Sequence, residues 1–214
     1  MKPKAGISWS GGKDCCLALM REWDAVDFTA AITMFGEDGE RSRSHGLRPS
    51  VISAQVERLG LEQFSGRCTW DTYTDQYVAL LAQVAARGIT HVVFGDIMGD
   101  SHREWNAKVC AHHGLTPVMP LWGQPTARLA REFVARGGEA RMVTVRPPVL
   151  DESWLGVTLD EDAIARLEAR GVDPCGELGE YHTVVTTCPR FSSPLPLAQG
   201  ERVMRGGCWA IDLY

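Results

Sequence analysis

The feature that most constrains the fold lies near the N-terminus. A short apolar run, Ala5–Trp9, leads straight into Ser10-Gly11-Gly12-Lys13-Asp14, and a helical pattern over Asp14–Trp23 follows. A glycine pair between a strand and a helix makes a tight turn at a helix N-terminus. Backbone N–H groups and the positive end of the helix dipole meet there, so the turn can receive an anion. Two glycines allow close approach to phosphate oxygens, Lys13 adds a charge and Ser10 a hydroxyl. The string is not G-x-x-x-x-G-K-[ST], because Ile7 occupies the first glycine position and Asp14 follows Lys13.

The pattern downstream alternates. Strands are expected at Phe28–Phe35, Phe64–Thr69, His91–Phe94, Pro117–Met119 and Arg141–Val145. Helices are expected at Pro49–Leu59, Thr74–Arg87, Ser101–His112 and Thr126–Arg136, with Cys16, Leu19, Met20 and Trp23 forming the apolar face of the first. Such alternation implies an α/β fold: a parallel sheet with helices on both faces and the strand C-terminal ends on one edge. Ligands bind outside those ends, where the strand order reverses. Three polar clusters follow strand ends and are expected to converge there: Ser10–Asp14, Glu37–Gly46 and Gly95–Arg103.

Beyond Pro147-Pro148 the rhythm changes. Asp160–Arg170 reads as a helix capped by Asp160, and Gly176–Glu180 as a loop rich in glycine and glutamate. Tyr181–Thr187 and Cys208–Leu213 read as strands. The expected organisation is a nucleotide-binding domain over residues 1–146 and a smaller α+β domain over 147–214.

Bulk properties narrow the function. A net charge of −5 disfavours a broad nucleic-acid surface, and no stable nucleic-acid partner is expected. No apolar run approaches the roughly 20 residues that span a bilayer. Met1-Lys2-Pro3-Lys4 carries no secretory pattern. The seven cysteines include no C-x-x-C pair, so a disulfide scaffold is not expected and buried thiols are. Cys110, His112 and His113 lack the paired spacing of a zinc site. The reading is a cytoplasmic protein.

Four constellations carry chemistry. The Ser10–Asp14 turn can stabilise charge growing on a leaving pyrophosphate; Asp14 can also serve the helix dipole. The Ser42–Gly46 loop brings His45 beside that turn. Asp96, just past a buried strand, can hold Mg²⁺ against phosphates or cap a turn. Arg103 can fork onto a phosphate or carboxylate, or remain a solvated helix charge. In the glycine-bracketed Gly171–Thr183 loop, Glu177 and Glu180 lie three residues apart, which is costly unless they are solvated, paired or used.

The string Ser10–Cys15 resembles SGGKDS, the pyrophosphate loop of the ATP pyrophosphatases, with Cys15 where that family usually has serine. Trp9–Asp14, Ser44–Gly46, Gly95–Ile97, Pro120-Leu121-Trp122 and Gly176–Thr183 recur in this order in the diphthine–ammonia ligase branch. Within the last string, Leu178 replaces a small or polar residue and His182 an acid. The resemblance implies a Rossmann-like HUP fold, use of ATP with Mg²⁺, and a carboxyl-bearing acceptor that is adenylated and then amidated by ammonia, releasing AMP and pyrophosphate. In the family that acceptor is diphthine on elongation factor 2.

On this reading Ser10, Gly11, Gly12, Lys13, Asp14 and Cys15 hold the β,γ-phosphates. Ile32, Thr33 and Met34 line the adenine pocket, while His45, Gly95 and Arg103 complete the nucleotide site. Asp96 positions Mg²⁺, and Glu177 and Glu180 meet the acceptor, metal or ammonia. The alternatives are a tRNA-modifying adenylating enzyme and an ATP-binding sensor without turnover. A homodimer is left open.

Overall fold

The computed structural model describes residues 1–214. Its first half carries β1 (Lys4–Ser8), α1 (Lys13–Glu22), β2 (Asp27–Gly36), α2 (Pro49–Leu59) and β3 (Glu62–Cys68). Next come α3 (Tyr73–Ala86), β4 (His91–Val93), α4 (Asp100–Ala111) and β5 (Thr116–Val118). These five strands form one sheet, all parallel, in the order β3-β2-β1-β4-β5. The chain moves outward from β1 in one direction and then returns to its other side with β4. The C-terminal ends of β1 and β4 therefore flank the crevice where ligands sit in such folds.

Side-chain alternation explains why both faces are covered. Ile7 of β1, Ala31 and Phe35 of β2 and Val93 of β4 share one apolar cluster. Their neighbours Ala30, Ile32, Met34, Val92 and Phe94 share the other, with Tyr77, Leu80 and Val84 of α3 and Val109 of α4. Full burial of each such aliphatic or aromatic side chain contributes about 1.5–3 kcal/mol. The near-continuous apolar runs of these strands reflect this two-sided burial.

The remaining elements are α5 (Thr126–Ala135), β6 (Glu139–Val145), α6 (Glu161–Ala169), β7 (Tyr181–Thr187), β8 (Gln199–Arg205) and β9 (Cys208–Leu213). The helix expected behind Asp160 is present, and the Asp160 carboxylate accepts the Ala163 amide at 2.8 Å. β7, β6, β9 and β8 form an antiparallel sheet in that order. Arg141–Val145 was expected to extend the parallel sheet. It belongs instead to the second sheet, pairing with β7 and β9, so the architecture changes before Glu139 and not after Arg146. β8 was not foreseen.

The two sheets share one apolar core. Leu17, Val51, Ile52 and Phe133 cluster with Val145, Trp154, Tyr181, Val184 and Ile211. Gln55, fully buried on α2, makes three hydrogen bonds, one of which crosses to the second sheet. Its Oε1 accepts Trp9 Nε1 at 3.0 Å, and its Nε2 donates to the carbonyls of Gly11 (3.1 Å) and Val185 (2.8 Å). No helix is long and apolar enough to cross a membrane.

Candidate active site

The turn after β1 is set by backbone geometry. Gly11 has φ +84°, a conformation that favours glycine, and a Cβ there would meet Leu47, Gln55 and Ile52 within 3 Å. A second close approach fixes the end of β4. A Cβ on Gly95 would lie 2.6 Å from the Cys15 amide nitrogen, so the strand end abuts the start of α1. These contacts bring Ser10–Cys15 and Gly95-Asp96 to one place.

β7 meets the turn from the other side. The Lys13 amide donates to Thr183 Oγ1 at 3.1 Å, and the Val185 amide donates to the Gly11 carbonyl at 2.9 Å. Between these elements lies a cavity of about 510 Å³. Its polar end holds Ser10, Lys13, Asp14, Cys15, His45, Glu177 and His182. Its other end is walled by Trp70, Tyr73, Phe94 and Trp105, with Gly95, Asp96, His102 and Asn106 also in the lining.

Lys13 is buried. Its ammonium donates to Asp14 Oδ2 at 2.8 Å and to the Cys175 carbonyl, and lies 5.1 Å from the Tyr181 ring centre. Burial works against its charge, but Asp14, Tyr181 and Cys175 outweigh it and hold the ammonium above the usual lysine range. An ammonium has three N–H donors, so one remains for a ligand oxygen. The Cys15 thiol donates to the Gly12 carbonyl at 3.1 Å and accepts from Ser10 Oγ at 3.3 Å. Burial raises it above the ordinary thiol range, so it is neutral at pH 7.

Asp96 accepts Asn106 Nδ2 at 3.0 Å and lies 3.3 Å from His102 Nδ1. Glu177 opens onto the cavity, and burial, reinforced by Asp14, raises its carboxyl to about 7. His45 Nδ1 lies 2.7 Å from the Thr183 carbonyl. A carbonyl only accepts, so Nδ1 carries the hydrogen and Nε2 presents a lone pair. The His182 ring lies 4.7 Å from that of His45, centre to centre. Burial lowers both imidazoles, His45 to about 4 and His182 to about 3, so both are neutral at pH 7.

Several expected site residues lie elsewhere. The Ile32 and Met34 side chains are packed in the core. Their carbonyls accept the Trp9 and Arg43 amides, and Thr33 Oγ1 donates to the Trp9 carbonyl at 2.7 Å. None of the three reaches the cavity lining. Glu180 is also buried, and its two oxygens accept the amides of Asp173 (3.4 Å) and Leu178 (3.0 Å). It shapes the loop that Glu177 projects from. Arg103 is exposed, 5.8 Å from the Trp122 ring centre and outside the lining. The aromatic end was missed. The spacing of Tyr73 and Tyr77 on one helix face was its signal, but that spacing reads equally as core. No cluster of three metal-binding side chains occurs, including around Cys110.

Two family models match this chain: the diphthamide synthase N-terminal domain over residues 3–117 and the diphthamide synthase C-terminal domain over residues 125–212. Among curated proteins, diphthine–ammonia ligase of Rattus norvegicus is 34% identical over 91% of this chain and 83% of its own length. The Mus musculus protein of the same name is 33% identical over the same shares. A solved structure from Methanocaldococcus jannaschii, described as a predicted subunit of tRNA methyltransferase, aligns over 87% of this chain and 98% of that one. At 15% identity and a TM-score of 0.44 it is too distant to bear on function.

Proposed function

This chain belongs to the diphthamide synthase family and is an ATP-dependent, amide-forming ligase; from that premise we propose how its residues divide the work. The observation that carries the proposal is the single cavity into which Ser10–Cys15, Gly95-Asp96 and the Cys175–Thr183 segment all open. The β,γ-phosphates of ATP lie over the Ser10–Cys15 turn, with the free N–H of Lys13 on a phosphate oxygen. The purine lies against Trp70, Tyr73 and Trp105, where aromatic faces offer stacking partners. The α-phosphorus then faces the end of the cavity that carries Glu177.

The donor set fits Mg²⁺ in its usual protein mode, one carboxylate with the rest of the shell left to water and phosphates. Asp96 supplies that carboxylate, and Asn106 fixes its orientation. Bound there, the ion would neutralise phosphate charge. The acceptor carboxyl, that of diphthine on elongation factor 2, attacks the α-phosphorus and expels pyrophosphate. Ammonia then displaces AMP from the acyl carbon. No protein nucleophile is required, so positioning and electrostatics supply the catalysis. Glu177 is the proton acceptor, because its carboxyl titrates near neutrality beside the reacting groups. All seven cysteines are free, which suits work in a reducing cytoplasm.

The test is incubation with α-labelled ATP, ammonium and elongation factor 2 carrying diphthine. One AMP and one pyrophosphate per amide formed is the expected outcome. ADP and phosphate, or ATP consumption that ignores the acceptor, overturns the proposal.

A further inference from the structure

The proposed function leaves two half-buried imidazoles in the cavity lining without a task, and the inference here rests on that reading. His45 and His182 come from different parts of the chain, the β2–α2 connection and β7, yet their ring centres lie 4.7 Å apart with the planes tilted by 31°. His45 is held firmly. Its Nδ1–H is spent on the Thr183 carbonyl, and its ring covers Gly12 so closely that a Cβ there would meet it at 2.1 Å. Its Nε2 makes no hydrogen bond within the protein, and neither ring nitrogen of His182 makes one. Neither residue has a buried unsatisfied nitrogen, so the free lone pairs open toward the cavity. The nearby charges are Lys13, already bonded to Asp14, together with Asp14 and Arg146, and Glu177 shares the cavity lining.

We propose that His45 Nε2, the free ring nitrogen of His182 and the Glu177 carboxylate form the seat for the ammonia nitrogen. The geometry suits a small donor. Ammonia has three N–H groups and one lone pair, and these three acceptors line the same cavity from three segments of the chain. Neutral imidazoles bind ammonia through its N–H groups without protonating it, which leaves its lone pair free to attack.

The sequence of steps balances. Ammonium enters and passes one proton to the Glu177 carboxylate, giving ammonia and a neutral carboxylic acid. The nitrogen lone pair forms the C–N bond at the acyl carbon, and the C–O bond to AMP breaks with its electron pair leaving on the phosphate. The surplus proton on nitrogen passes to His45 Nε2 and from there to solvent, giving the neutral amide. The hydrogen bond from Nδ1–H to the Thr183 carbonyl steadies the imidazolium while it lasts.

The probe is ammonium chloride itself. Long-range ¹⁵N NMR of the imidazoles at pH 8.5 should show saturable shifts of His45 and His182 with ammonium chloride. Sodium chloride and tetramethylammonium chloride at equal ionic strength should produce none. Shifts that track ionic strength alone overturn the seat. In turnover with diphthine-bearing elongation factor 2, His182→Leu should raise the KM for ammonium at least tenfold more than it changes pyrophosphate exchange. His182→Asn, which keeps an acceptor, should recover most of that loss. Equal effects on both half-reactions would mean that His182 only packs. Should the factor fail as an acceptor, the ligase reading falls while the titration still decides the seat.

Discussion

The two walls of the cavity are built by different physics. The Ser10–Cys15 and Gly95-Asp96 wall hangs on parallel ladders and a helix start. Its position follows from strands buried on both faces. The facing wall, the loop from Asp173 to Glu180, has no ladder. Two carboxylates hold it by collecting its amides. Asp173 Oδ1 accepts the amides of Cys175 (2.8 Å) and Glu177 (3.3 Å), Asp173 Oδ2 accepts Thr126 Oγ1 (2.6 Å), and Glu180 accepts Asp173 and Leu178. Lys13 joins the walls through the Cys175 carbonyl. The first wall is a fixed frame, and the second is a loop whose shape depends on charge. Of the two glutamates in the second wall, Glu180 is committed to the loop's own amides and Glu177 is the one left facing the cavity.

The largest expected effect tests the junction. Lys13→Ala should lower AMP release by 10²–10³-fold or more, as loss of a positioned electrostatic donor does, about 2.7–4 kcal/mol. It also leaves the Asp14 carboxylate and the Cys175 carbonyl without their partner. Unchanged nucleotide affinity and turnover would break the proposal that the walls meet at this ammonium. Gly95→Ala follows. The added methyl meets backbone on the fixed wall and cannot be relieved by a rotamer change, so a loss of about 1–3 kcal/mol is expected, read as the urea midpoint.

The glutamates sharpen the comparison on the second wall. Glu180→Gln replaces a charged acceptor with a neutral one and leaves an amide poorly paired. It should cost about 1–3 kcal/mol, roughly 2–4 °C of Tm for each kcal/mol. Glu177→Gln should move stability the other way. Its carboxyl sits above its unfolded value, at about 7, so the protonated form is favoured in the fold. The native state is penalised as pH rises from the ordinary carboxylate range through 7, and the penalty is full above that. The Gln variant should therefore melt higher than wild type at pH 8 and equally at pH 4. It should also lose the rise in amidation rate through pH 7 and roughly 10²-fold or more of rate above it. Equal melting at pH 8 would show that the Glu177 carboxyl is not raised. The smallest effect is expected at Arg103→Ala, within about 0.5 kcal/mol in stability and twofold in rate, since this side chain stands outside both walls.

Legibility in the sequence followed the same division. The first wall was readable because its signals are local: an apolar run, a glycine pair, a helix pattern. The parallel order followed from the alternation. The strand at Arg141–Val145 was also visible, but not which sheet it joins, since pairing partners lie more than thirty residues away. β8 was invisible because QGERVMR is mostly exposed and polar, an edge strand held by its partner β9. The Gly206-Gly207 pair just before β9 was the available sign of a hairpin. Glu177 and Glu180 looked equivalent as letters. Only burial and amide contacts separate them. Ile32 and Met34 stand outside the cavity lining because their side chains pack in the core, and the Trp9 and Arg43 amides occupy their carbonyls.

The Gln55 clasp carries one more consequence. A single buried amide grips the indole of Trp9 and the glycine bend on one side and the Val185 carbonyl of the second sheet on the other, so pulling the sheets apart would leave a buried N–H and a carbonyl unpaired. The seam between the sheets is thus fastened from within, whereas the loop from Asp173 to Glu180 is held by its carboxylates and is the part of the cavity wall without a strand ladder behind it.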